Sequence, residues 1–161
     1  GRLGKILADY YYALGMEVYY YDIIEQNISS KFIKTNNPKE LFRKVDILSI
    51  HLPYNKKTHF IIDKDILKYL KPASFIVNTA RGGVINEFDL LQSLKNKKIS
   101  GYATDVLYGE PNINEHPIVK YSKYNENVVI TPHIGGNTFE SIEKTEFFIA
   151  NKFKKEYESI Y

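Results

Sequence analysis

Three side chains have the types and surroundings that acid–base and anion chemistry needs: Arg81, Glu110 and His133. His133 follows Pro132 and precedes Ile134, Gly135 and Gly136, so it is displayed on a tight loop rather than on a core face. An imidazole there exchanges protons near neutral pH, and a nearby carboxylate such as Glu110 orients its ring. Arg81 is followed by Gly82 and Gly83, which lets the backbone approach a ligand and the guanidinium turn into a cleft. Its fixed fork suits bidentate capture of a carboxylate and can polarise a neighbouring carbonyl. Taken singly, each residue fits an ordinary surface role equally well. Their common position after strand-like segments makes them a set.

A second group sits at the N-terminal end. "GRLGKILADYYYALG" has the spacing of the right half of a G-x-G-x-x-G phosphate loop, with Gly1 and Gly4 opening an amphipathic run. Asp22 lies 18 residues after Gly4 at the end of "EVYYYD". An acid there accepts hydrogen bonds from an adenine-ribose diol and repels a 2′-phosphate, which favours NAD over NADP. An Asp that simply begins a turn is the alternative. Other chemistries are poorly supported. None of His51, His59, His116 and His133 stand at H-x-x-x-H spacing and cysteine is absent, so no metal site is expected. No G-x-S-x-G elbow occurs.

These residues need elements to hold them. The pattern predicts a helix over Gly4–Leu14 stopped by Gly15 in a left-handed cap, then a strand ending at Asp22. After a loop, Pro38 opens a helix through "KELFRKV", followed by the apolar strand "DILSIHL". Helix "DKDILKYL", strand "SFIVNTA", helix "EFDLLQSLKNK" capped by Asn86, and strand "ISGYATDV" come next. A loop holding Pro111 and Pro117 leads to strand "NVVITP", and a long charged helix runs from Thr138 to about Tyr157. Strands alternating with helices predict a parallel sheet with helices on both faces, in one domain. Ligands bind at the carboxyl ends of such strands, where Asp22, His51, Pro53, Thr79, Ala80, Arg81, Asp105, Glu110 and His133 collect.

Composition narrows the class further. The 161 residues are 43% apolar and 25% charged with a net charge of +3, which fits a globular chain able to bury one core. Lysines fall in scattered pairs, so a nucleic-acid partner is not expected, and the fourteen tyrosines read as strand and surface filler. No apolar run is long enough to span a bilayer and no apolar signal segment opens the chain; a cytoplasmic protein with no membrane partner is the expectation.

The segments from "VDILSIHLPYNKKTHF" through "NTARGG" and "DVLYGEP" to "NVVITPHIGGNT" resemble the cofactor-binding domain of the D-isomer-specific 2-hydroxyacid dehydrogenases. The resemblance covers essentially the whole chain. It implies a Rossmann-like doubly wound parallel sheet lacking its first strand, with residues 1–161 an N-terminally truncated NAD-binding domain and the substrate domain absent. It also implies NAD-dependent hydride transfer between a 2-hydroxy acid and its 2-oxo acid. His133 would be the acid/base, Glu110 its partner, and Arg81 the group that holds and polarises the substrate. For NAD, the family pattern places Arg2, Leu3 and Gly4 at the pyrophosphate and Asp22 on the adenine ribose, with Leu52, Pro53 and Thr58 near the adenosine half. Thr79, Ala80 and Arg81 would line the nicotinamide side and Asp105 would bond the carboxamide, while His133 to Gly136, including Gly135, would close over the ring. A homodimer of the full-length parent is expected. Two alternatives stand beside this one: an NAD(H)-sensing interaction module like the corepressors of the same superfamily, and a fragment inactive on its own because its sheet edge is open.

Overall fold

The computed structural model describes residues 1–159. It begins with α1 (Arg2–Ala13), which buries Ala8 and ends as expected: Gly15 stands at φ +82° and its N–H meets Tyr12 O while Met16 N–H meets Tyr11 O. The strand leading to Asp22 is shorter than predicted, with only β1 (Tyr19–Tyr20) paired, in parallel, to β2 (Ile33–Lys34). β2 lies inside an expected loop. Two exposed residues leave no apolar run from which to read it. Helix α2 (Pro38–Lys44) starts on its proline, with Asn37 Oδ1 accepting Glu40 N–H at 2.9 Å.

A second sheet holds β3 (Ile47–Ile50), β4 (Phe75–Asn78), β5 (Gly101–Thr104) and β6 (Val128–Ile130), parallel and in that order. Between them run α3 (Lys64–Leu67), α4 (Glu87–Lys95) and α5 (Pro117–Ser122). Asn86 caps α4 by accepting the Phe88 and Asp89 amides, each at 3.2 Å. α5 interrupts the loop expected around Pro111 and Pro117, because six residues give too short a period to recognise. Alternation sends Leu48, Ile50, Ile76, Tyr102 and Val128 to one face, where they join Phe42, Leu67, Leu90, Leu94 and Ile118 in the core. Cutting fully buried Ile76 or Leu90 back to Ala would cost about 2–5 kcal/mol.

α1 lies on the opposite face, so the sheet is wound on both sides as expected. Its Gly4 would place a Cβ 3.5 Å from the ring of His51, which shares the Ser49 side of β3 through a 2.8 Å contact between Ser49 Oγ and His51 Nε2. The parallel ladder breaks between β1 and β3, with α1 starting at the break. The last helix, α6 (Phe139–Glu158), falls where a long charged helix is expected, with Thr138 as its cap, and none of its residues is buried.

Candidate active site

The β1–β2 pair and the β3–β6 sheet are separate parallel sheets, and a gap between two such sets of strands leaves a crevice at their carboxyl ends, where doubly wound folds take their ligands. The first turn of α1 faces it. Gly1 is 3.4 Å from Asp22 Oδ2 after β1, and Gly4 packs on His51 after β3. Among the described residues no side chain caps α1, and its first turn has no acid. The first N–H groups of a helix can meet an anion, and those of Arg2, Leu3 and Gly4 stand at this end. Asp22 accepts from Ile24 N–H at 3.0 Å and from Gln26 at 2.8 Å.

Leu52, Pro53 and Thr58 also lie on this rim. Thr58 Oγ1 donates to Pro53 O at 2.6 Å and accepts Asn55 N–H at 2.9 Å, so the hydroxyl shapes its own turn.

The other expected residues gather past β4, β5 and β6. Asn78, fully buried at the end of β4, gives its amide N–H to Arg81 O at 3.1 Å and accepts Ala80 N–H at 3.0 Å. That bracket sets Thr79, Ala80 and Arg81 in a turn, with the exposed guanidinium donating to Ala80 O at 2.6 Å. The glycines after Arg81 have a different reason from the one expected. A Cβ on Gly82 would stand 2.1 Å from Leu107 C, and one on Gly83 would stand 2.4 Å from the Tyr54 ring. They admit protein atoms, not a ligand.

Asp105 is likewise spent on structure. Its Oδ1 accepts the Thr131 hydroxyl and Ile134 N–H, the latter at 3.0 Å, and its Oδ2 accepts Gly135 N–H at 2.8 Å. Burial works to raise its pKa, but these donors and the neighbouring His133 prevail and lower it. The carboxylate thus ties down the 131–135 loop; Gly136, farther along, has open space around it.

On that loop His133 adopts φ +54°, a left-handed backbone rare for a residue with a Cβ. Its Nδ1 lies 2.6 Å from Glu110 Oε2, while Glu110 Oε1 accepts Leu107 N–H. His133 is about half exposed and Glu110 mostly covered, so Nε2 is the ring nitrogen left for a ligand. Among the described residues no group of three or more His, Cys, Asp or Glu is placed to hold a metal ion. Sequence reasoning missed Asn78 and a buried pair, Glu87 with His116. Asn78 carried a signal in N-T-A-R-G-G, a polar side chain closing an apolar strand.

The model of the D-isomer specific 2-hydroxyacid dehydrogenase, NAD binding domain, matches residues 1–135. D-3-phosphoglycerate dehydrogenase of Haemophilus influenzae is 36% identical over 156 residues, covering 96% of this chain and 38% of the relative. The Escherichia coli enzyme of the same name is 32% identical over 155 residues, again covering 96% of this chain and 38% of the relative. This chain therefore spans well under half the length of both relatives. Among solved structures, the NAD complexed form of a D-isomer specific 2-hydroxyacid dehydrogenase from Lactobacillus delbrueckii ssp. bulgaricus superposes with a TM-score of 0.87 at 26% identity, over 96% of this chain and 51% of that one. D-mandelate dehydrogenase of Rhodotorula graminis gives 0.81 at 32% identity, over 91% and 42%. The chain belongs to the D-isomer-specific 2-hydroxyacid dehydrogenase family and carries its NAD binding domain.

Proposed function

We propose that this domain binds NAD(H) across the crevice between the two sheets, and that the whole protein exchanges a D-2-hydroxy acid with its 2-oxo acid. The observation that carries this is the 2.6 Å contact between His133 Nδ1 and Glu110 Oε2, at the same sheet edge as Arg81. Arg2, Leu3 and Gly4 hold the diphosphate, and Asp22, Leu52, Pro53 and Thr58 the adenosine half. Thr79, Ala80, Arg81 and the 133–136 loop, set by Asp105, take the nicotinamide side. When bound, the cofactor supplies or accepts the hydride.

The chain's own groups do the rest. Arg81 holds the substrate carboxylate by its guanidinium fork and polarises the adjacent carbonyl. Glu110 accepts a hydrogen bond from His133 Nδ1–H, which stays on the ring, and so leaves Nε2 to give a proton to the carbonyl oxygen, or to take it from the hydroxyl in reverse. Residues 1–161 form the cofactor domain, the substrate's side chain being recognised by the rest of a protein that works as a homodimer.

The test is to mix the whole protein with NADH and a panel of 2-oxo acids, following absorbance of the reduced cofactor. Turnover with at least one acid, abolished in His133→Asn while NADH binding persists, is expected. No turnover together with an NADH-dependent protein partner would replace this reading by the sensor.

A further inference from the structure

Glu87 is a buried charged residue, and its place in the first turn of α4 gives an acid a favourable helix dipole but no need for burial. It opens α4, is 6% exposed, and its Oε1 has no hydrogen-bond donor among the described residues. Burying a carboxylate costs several kcal/mol unless its partners are well placed, and an apolar residue there would fold at less cost. Its other oxygen accounts for its presence. Oε2 accepts Tyr108 N–H at 3.1 Å and meets His116 Nε2 at 2.9 Å. His116 Nδ1 accepts Ile118 N–H at 3.2 Å, so the hydrogen-bond network assigns the ring proton to Nε2 and makes His116 a donor to Glu87.

The Tyr108 amide is the neighbour of another that matters. Leu107 N–H donates to Glu110 Oε1, so consecutive amides of one turn end on two different carboxylates, one facing the cleft and one rooted in the core. The Tyr108 ring adds an edge contact with Phe60, centroids 4.9 Å apart. Without the Glu87 anchor, Leu107 stays packed in the core while the Tyr108 amide, one residue nearer Glu110, loses its acceptor.

We infer that Glu87, backed by His116, is a positioning residue that fixes the 107–110 turn through the Tyr108 amide and so sets Glu110 against His133. The inference rests on the dehydrogenase reading above. It is tested in the whole protein by Glu87→Ala and Glu87→Gln, each made also in a Glu110→Ala background, measuring kcat, KM for NADH and Tm. We expect Glu87→Ala to lower kcat about 10- to 100-fold, the scale of a small misplacement, with KM for NADH little changed. Glu87→Gln, which keeps an acceptor oxygen, should recover most of it. In the Glu110→Ala background Glu87→Ala should lower Tm as before but kcat no further. An equal fold-loss of kcat in both backgrounds would overturn the inference. His116→Ala, put through the same cycle, replaces Glu87→Ala should that variant fail to fold. Should the wild type reduce no 2-oxo acid, the dehydrogenase reading fails separately, and the NMR resonance of the His133 Nδ1 proton decides: exchange-broadened in Glu87→Ala and retained in Glu87→Gln supports positioning, unchanged in both refutes it.

Discussion

Gly82 presses against the carbonyl carbon of Leu107, at 2.1 Å from where a Cβ would begin. The turn that carries Arg81 and the turn that carries Glu110 therefore touch backbone to backbone. Gly82→Ala must push them apart, costing about 1–3 kcal/mol of stability as overpacking does. Because the displaced groups are the proposed substrate and proton-transfer residues, kcat/KM should fall by more than the lost folded fraction accounts for. Thermal melts and steady-state kinetics on one preparation check this; full activity in a folded variant would contradict it.

His133 combines a proton-transfer role with a left-handed backbone. Asn tolerates that backbone better than most residues, so His133→Asn should leave Tm within about a degree while lowering kcat about 100- to 10,000-fold, the usual worth of a general acid–base group. Differential scanning calorimetry separates the two readouts. A large drop in Tm would place the residue's importance in folding instead.

Asp105 links pH to the same loop. Its carboxyl is held below the ordinary 3.8, so ionisation is favoured in the folded state. The sign follows: its stabilisation is fully present above the unfolded value and is lost as pH falls through the lower folded one. Asp105→Asn should destabilise at neutral pH by about 1–3 kcal/mol, since an amide N–H would face the Gly135 amide. The gap between wild type and variant should narrow as pH falls below the ordinary carboxylate value. Melts across that range test it, and a gap independent of pH would argue against the linkage.

Asp22 stands where a ribose diol is proposed to bind. Asp22→Ser should raise the relative preference for NADPH about tenfold, the ratio that roughly 1.4 kcal/mol of relieved repulsion gives. Paired KM measurements with both cofactors in the whole protein read this directly. An unchanged ratio would move the adenosine site away from β1.

Local signals in this chain were readable because they act through neighbours: Gly15 ends α1, Pro38 and Asn86 start helices, and alternation in "FIVN" buries Ile76 and Asn78. The expected site residues come to one edge because every strand is parallel, which alternation with helices already implies. What escaped depends on distance along the chain. Glu87 and His116 are 29 residues apart and meet only once β5 and α5 are packed, so neither residue announces the other. Gly82 looked like freedom for a ligand because its neighbour Leu107 is brought by the adjacent strand. The two-residue β2 has no pattern at all.

α6 has a consequence for how the domain behaves by itself. Twenty residues capped by Thr138, with a long Lys154 to Glu158 pair and with Phe147, Phe148, Ile149 and Phe153 in water, gain little from tertiary packing. Its amide hydrogens should exchange with deuterium far sooner than those of β4 and β5, and trypsin should cut first at Lys144, Lys152 or Lys154, trimming the domain to a resistant body that retains His133.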